Sequence, residues 1–241
     1  MTQIQVLHRF WAGPRKMPEK YQVYGDQWRN LNPDWTVIDW EESVQEEFPE
    51  LQSIFDSLYK RDAGRRGIEL YVQLADVIGY ALVQRNGGVY LNVDIQPIRA
   101  LPDDLPSTAW ASYENNTDWS VINAAIGAPE PEDPFWTGLL AHLPERYFAN
   151  PTGEMVATTG PGYLTDYARI HASELFVFPV ETFNYVHWKQ IAPGGDASDV
   201  VRWKDESEIP EGVIALHHWG HKKLNAAGQV RTNWVETATQ G

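Results

Sequence analysis

The sequence predicts an α/β fold with a mainly parallel central sheet flanked by helices. Three observations lead there. Short apolar strands alternate with helical stretches along the chain, the order that builds parallel strands joined by crossover helices. One long segment, Arg66 to Arg85, repeats the apolar residues Ile68, Val72, Ala75, Ile78 and Leu82 at helical spacing. It stops at Asn86-Gly87-Gly88, residues that tolerate positive φ, and gives way to the apolar run Val89-Tyr90-Leu91, which reads as a buried strand.

The remaining elements follow in order. Ile4 to Trp11 opens as a strand, with apolar Ile4 and Val6 alternating with Gln5, and Gly13-Pro14 breaks it. Pro18 starts a helix that runs to about Leu31 and is stopped by Asn32-Pro33. Trp35 to Trp40 is a short strand. Ser43 to Tyr59 reads as a helix interrupted at Pro49, its acidic run from Glu41 to Glu50 a solvated face. Beyond a loop around Pro102 to Pro106, strands are predicted at Ala109 to Ser112 and Val121 to Ile126. Helices follow from Asp133 to Phe148 and from Gly162 to His171, with short strands at Leu175 to Phe178 and Val213 to Leu216.

Composition narrows the function. The chain of 241 residues is 43% hydrophobic and 22% charged, so residues 1–241 read as one large domain with a well-buried core. A net charge of −14 without a long basic block disfavours nucleic acid; the short doublets Arg65-Arg66 and Lys222-Lys223 are scattered. A phosphorylated ligand is still compatible if a cation stands between it and the carboxylates. Absence of cysteine removes disulfides, thiolate metal sites and thiol nucleophiles together. The first residues lack the basic and apolar regions of a signal peptide, and no stretch approaches the roughly 18 apolar residues of a membrane span. A cytoplasmic location is expected, in which the Asn115-Asn116-Thr117 sequon is idle. The 11 Trp and 11 Tyr suit sugar or base stacking and core filling equally well.

Ligands of open α/β sheets collect at the carboxyl ends of strands. Asn92-Val93-Asp94 lies at such an end. Side chains two residues apart there face one side, so Asn92 and Asp94 can offer oxygen to the same hard cation, such as Mn²⁺ or Mg²⁺. Such a cation would neutralise a leaving diphosphate. An Asn-x-Asp pair also suits a turn or a capped strand end. Asp76, inside an apolar helix, needs either solvent or a dedicated partner. Trp11 reads as a core aromatic or a stacking platform, and His8 as structural. His217 and His221 are four apart, but Trp219-Gly220 argues against a helix there and no Glu follows His217, so a zinc hydrolase is disfavoured.

Leu74-Ala75-Asp76, Tyr80 and Gly87-Gly88-Val89-Tyr90-Leu91-Asn92-Val93-Asp94 together resemble the sugar-binding region of family 32 glycosyltransferases. That group includes DXD-motif mannosyltransferases of fungi and relatives of the clostridial glucosylating toxins. His8-Arg9-Phe10-Trp11, Asn32-Pro33-Asp34-Trp35, Asn123 to Ala128, Thr159-Gly160-Pro161 and His217-His218-Trp219 follow in the family's order, so the resemblance covers residues 4 to 220. It implies a GT-A-like, metal-dependent, retaining transferase that moves a sugar from a UDP- or GDP-sugar to a carbohydrate or other hydroxyl acceptor. By the same resemblance Trp11 would stack on the base and Asp76 would hydrogen-bond the donor sugar. Asn92 would lie near ribose and metal, Asp94 would bind the metal, and His217 would add a ligand or contact the diphosphate. Asn123 would touch the donor sugar or the acceptor.

Two departures stand out. The family usually has Asp where this chain has Asn92, and Arg where it has Gly79, a glycine that costs about 1 kcal/mol in a helix and leaves unexplained space. They motivate a second reading, a catalytically impaired member that binds sugar nucleotides or glycans. A metal-dependent hydrolase of nucleotide sugars is a third.

Overall fold

A computed structural model describes residues 4–13, 15–62, 67–149, 154–192, 195–203 and 205–220. The first part of the chain forms β1 (Val6–Trp11), α1 (Glu19–Leu31), β2 (Thr36–Glu41), α2 (Gln52–Asp62), α3 (Ile68–Asn86) and β3 (Gly88–Leu91). Next come β4 (Ile95–Pro97), β5 (Ala109–Tyr113), β6 (Val121–Ala128), α4 (Pro134–Ala149), α5 (Met155–Thr158) and α6 (Pro161–Ile170). The chain continues through β7 (Leu175–Phe178), α7 (Val180–Asn184), α8 (Ala197–Val201) and β8 (Ala215–His217).

Six strands form one sheet in the order β2-β1-β3-β6-β5-β7, and β4 pairs with β8 in a separate two-stranded ribbon. β1 runs parallel to β2 and β3, and β5 parallel to β7, whereas β6 opposes both of its neighbours. The sheet is therefore mainly parallel, as expected, with β6 the reversed strand. That reversal has a positional effect. It brings the start of β6 to the edge where β3 ends, and Asn92 N–H donates to the Ala124 carbonyl at 2.8 Å.

Alternation along the strands divides the core between two faces. Phe10, Tyr90, Ala111 and Ile126 pack with α2, α3, α4 and α6, while Leu7, Val89, Leu91, Trp110 and Ala125 pack with Trp28 of α1 and Phe183 of α7. Helix α3 is central rather than one-sided: Leu70, Leu74, Val77, Ile78, Ala81, Leu82 and Val83 are all buried. Gly87 and Gly88, at φ +66° and +79°, make the turn from α3 into β3. No helix among the described residues is long and apolar enough to cross a membrane.

The structure corrects three expectations. Residues 43–59 are not one interrupted helix: 3₁₀ turns at Glu42–Glu47 and Pro49–Leu51 precede α2. Glu42 is not merely a solvated face, since it accepts from Tyr59 Oη at 2.7 Å and from Gly13 N–H at 3.3 Å. Gly79 leaves no empty space, because a Cβ there would meet Tyr90 Cε1 at 2.8 Å. The glycine is what lets the Tyr90 ring pack this close to α3.

His8 is structural. Trp40 Nε1 donates to its Nδ1 at 3.0 Å, which leaves the ring hydrogen on Nε2, 3.1 Å from the Gly87 carbonyl oxygen. Burial pushes its pKa from 6.5 down to about 4. The fold prefers the neutral ring, so this stability is complete above pH 6.5 and lost as pH falls towards 4. The loss should reach about 3 kcal/mol, with each pH unit of that window contributing about 1.4 kcal/mol. Urea unfolding of wild type and His8→Asn at pH 7 and 4.5 checks this: the gap between the two should shrink at the lower pH, and a constant gap would contradict it.

Candidate functional site

Trp11, Asp76, Asn92, Asp94, Asn123 and His217 all line one cavity, open to solvent. They reach it from five places in the fold: the end of β1, the middle of α3, the turn after β3 (which supplies two), the start of β6 and the end of β8. A mostly apolar concavity with a few convergent polar groups is the usual form of a small-molecule site. Ile68, Tyr71, Val72, Met155 and Val156 supply much of its apolar wall.

Asp76 has the dedicated partners its burial demands. Asn123 Nδ2 donates to Oδ1 at 2.6 Å and Thr159 Oγ1 to Oδ2 at 2.9 Å. Both donors come from other elements, so the carboxylate is held in one orientation facing the cavity. The peptide following Thr159 packs equally close: a Cβ on Gly160 would lie 3.3 Å from Asp76 Oδ2. Thr159 is in turn fixed through its carbonyl, which accepts from Tyr80 Oη at 3.0 Å.

Asp94 sits where the turn after β3 meets the β4–β8 ribbon. Ile95 is in register with His217, and His218 N–H donates to the Asp94 carbonyl oxygen at 3.1 Å. Gly220 N–H donates to Asp94 Oδ2 at 2.7 Å. The other carboxylate oxygen, Oδ1, lies 3.5 Å from His217 Nε2, a buried nitrogen with no hydrogen-bond partner. Trp219, at φ +53°, stacks on the His217 ring with centroids 4.1 Å apart and anchors itself by donating from Nε1 to the Val186 carbonyl at 2.8 Å.

The two neighbouring histidines have different tasks. His217 faces the cavity, whereas His218 turns away to Tyr24 Oη (3.1 Å), Gln96 Oε1 (2.9 Å) and Asp196. Burial would raise the Asp196 pKa, but bonds from His218 and Lys20 outweigh it and hold the carboxyl below its usual range. His217 belongs to a strand, which removes the helical zinc pair; His221 lies outside the described residues.

Beneath the same turn, buried Arg9 donates from Nη2 to the carbonyls of Val93 (3.4 Å) and Tyr21 (2.5 Å), and its Nη1 is 2.8 Å from Asp39 Oδ1. Trp11 donates from Nε1 to the Arg15 carbonyl at 2.8 Å, which pins the indole plane at the cavity rim. Burial, and next the charge of Asp94, push the Tyr21 hydroxyl pKa up, so the phenol beside Asp94 stays neutral.

The donors suit a divalent cation. Asp94 offers a carboxylate and His217 an unprotected ring nitrogen, with the half-buried Asn92 amide on the same cavity wall. Among the described residues no group of three or more His, Cys, Asp or Glu could hold a metal. A cation held by Asp94, His217 and Asn92 alone would keep several positions for water and phosphate, the habit of Mn²⁺ and Mg²⁺ in nucleotide sites. Reading the sequence missed Thr159 as the partner of Asp76, Arg9 under the turn, and Trp219 and Asn184 around His217. Arg9, Thr159 and Trp219 carried some signal, as parts of the motifs quoted for the resemblance, and Asn184 carried none.

The chain is similar to known glycosyltransferases. Residues 18–114 match a family model described as the glycosyltransferase sugar-binding region containing the DXD motif. A mannosyl phosphorylinositol ceramide synthase of Saccharomyces cerevisiae is 26% identical over 174 residues, 67% of this chain and 40% of its own. An inositol phosphoceramide mannosyltransferase of Schizosaccharomyces pombe is 24% identical over 168 residues, 67% of this chain and 43% of its own. The chain thus spans less than half the length of these curated relatives. Among solved structures, the PaToxG glycosyltransferase superposes with a TM-score of 0.58 at 15% identity, over 71% of this chain and 70% of that one. The UDP-bound glycosyltransferase domain of the YGT toxin gives 0.52 at 11% identity, over 73% and 80%. At these identities the likeness is one of fold.

Proposed function

We propose that this chain, which carries a DXD-type sugar-binding region on a glycosyltransferase fold, moves a sugar from a nucleoside-diphosphate sugar to a hydroxyl acceptor. The observation that carries the reading is the meeting of Asp76, Asp94 and His217 at one cavity, with Asp94 Oδ1 and the partnerless Nε2 of His217 3.5 Å apart. Asp94, His217 and Asn92 would hold Mn²⁺ or Mg²⁺, and that ion would offset the charge gathering on the leaving diphosphate. Asp76, oriented by Asn123 and Thr159, would accept hydrogen bonds from donor-sugar hydroxyls. The Trp11 indole would stack on the base, with Ile68, Tyr71 and Val72 shielding it from water. Resemblance to the family supports a retaining outcome and a carbohydrate or other hydroxyl acceptor.

The test is calorimetric titration of UDP and of GDP, each with and without Mn²⁺. One of the two should bind, and only with metal. Asn92→Asp should tighten that binding, because it adds a charged oxygen ligand where an amide now stands, and weaker or unchanged affinity would remove Asn92 from the cation site. Lack of binding by both nucleotides in the presence of Mn²⁺ would sink the donor-site reading.

A second reading, an impaired member that binds sugar nucleotides without turnover, is favoured by Gly79. With Tyr90 packed over it, α3 supplies no cationic donor at the position where the family has Arg. That reading predicts nucleotide-sugar binding without acceptor-dependent product, and no robust transfer by Asn92→Asp.

A further inference from the structure

We infer that Asn184, the last residue of α7, is a positioning residue that fixes the tautomer of His217 and keeps its Nε2 lone pair turned to Asp94. The inference rests on the reading of Asp94 and His217 as cation ligands.

Asn184 is buried between β5 and β8, and its amide is oriented without ambiguity. Its Nδ2 donates to the Tyr113 carbonyl at 3.1 Å and to Ser112 Oγ at 3.3 Å. A carbonyl oxygen only accepts, so the amide nitrogen must be the atom that faces it. Asn184 Oδ1 is thereby turned to His217 Nδ1, 3.1 Å away. An amide oxygen also only accepts, so Nδ1 carries the ring hydrogen. A neutral imidazole has one such hydrogen, and Nε2 is left with a lone pair.

That lone pair is buried, has no hydrogen-bond partner, and lies 3.5 Å from Asp94 Oδ1. The histidine lone pair is out of water and is repelled by the electron-rich oxygen it faces. A proton on Nε2 would turn the contact into a charge-assisted hydrogen bond, yet such bonds run at about 2.7–2.9 Å. The longer separation instead suits an ion that both atoms can approach. Trp219, stacked on the ring, opposes the flip that would exchange the two nitrogens. Without Asn184, His217 would be free to carry its hydrogen on Nε2 and close onto Asp94, occupying the cation's place with a hydrogen bond. Asn184 therefore holds the site open. Carboxylates and backbone carbonyls orient metal-binding histidines in the same manner elsewhere.

Two readouts on the full chain test this. Long-range ¹H–¹⁵N spectra of histidine-labelled protein report the His217 tautomer with no metal present, and need no variant. The expected result is hydrogen on Nδ1; hydrogen on Nε2 in the wild type overturns the inference. Mn²⁺ affinity, read from the paramagnetic resonance signal of free Mn²⁺, should fall about 10–100-fold in Asn184→Leu. Asn184→Asp, which keeps an acceptor opposite Nδ1 but loses the donor to the Tyr113 carbonyl, should lie between wild type and Asn184→Leu. In a His217→Ala background, Asn184→Leu should add little further loss, because its effect passes through the ring. An equal loss in both backgrounds would show a general structural role and overturn the inference. Wild type with hydrogen on Nδ1 but no Mn²⁺ binding, alone or with UDP or GDP, would instead overturn the cation-site reading and leave the tautomer assignment standing.

Discussion

Asp94→Ala is expected to abolish metal-dependent binding of UDP or GDP while leaving the protein folded. The carboxylate is the charged member of the proposed donor set, beside one imidazole and one amide. Its loss should weaken metal-dependent nucleotide affinity about 100-fold or more, roughly 3 kcal/mol at 1.4 kcal/mol per decade. The fold should survive for a stated reason. The bond that ties this turn to the β4–β8 ribbon runs from His218 N–H to the Asp94 backbone oxygen, which alanine retains. What alanine does forfeit is the acceptor for Gly220 N–H, a cost of about 1–3 kcal/mol if that donor stays buried. Calorimetry with Mn²⁺ and a thermal melt on the same sample separate the two effects. Unchanged affinity would remove Asp94 from the site altogether.

An arginine at position 79, where family 32 glycosyltransferases usually have one, should fail, and by a wide margin. Helix propensity argues that replacing Gly79 gains about 1 kcal/mol. Packing argues the reverse: a Cβ would stand 2.8 Å from Cε1 and 3.0 Å from Cδ1 of Tyr90. Tyr90 is buried, is paired with β1 and β6 neighbours on either side, and has its hydroxyl 3.4 Å from the Ala75 carbonyl. The ring cannot swing away without opening the core, and overpacking of that kind costs about 1–3 kcal/mol. Arginine adds an unpaired charge in an apolar setting. Gly79→Arg should therefore lose at least about 3 kcal/mol by urea unfolding, and bind nucleotide no better. Gly79→Ala isolates the steric part and should be mildly destabilised. A stabilised Gly79→Ala would mean that Tyr90 yields, and that the missing arginine is a simple vacancy after all.

These two residues illustrate what was legible in the sequence. The place of Asp94 at the cavity was legible because strand, turn and carboxylate are contiguous, and the motif around it is local. Helix α3 was legible for the same reason, its apolar spacing and glycine stop lying within one stretch. Gly79 was misread because its neighbour Tyr90 is adjacent only after β3 has folded back against α3. Strand β4 escaped notice because three residues ending in Pro97 show no periodicity, and their partner β8 lies more than a hundred residues away. The reversal of β6 has no local signature either, since apolar residues alternate alike in both directions. Asn184 was invisible for a further reason: one asparagine in a five-residue helix has no pattern, and its meaning comes from Tyr113 and His217.

The meeting of residue 94 with residues 217–220 also governs when the site can come into being. A chain leaving the ribosome exposes the Asn92–Asp94 turn early, and can fold β1, β2 and β3 around α3 long before the ribbon strand is made. Only when Ala215–His217 has emerged can β4 find its partner and the histidine swing in beside the carboxylate. Pairing across such a separation is intrinsically slow, since loop closure precedes any reward from contact. The nascent protein is thus a scaffold first, with its electronegative turn uncovered until the ribbon strand arrives.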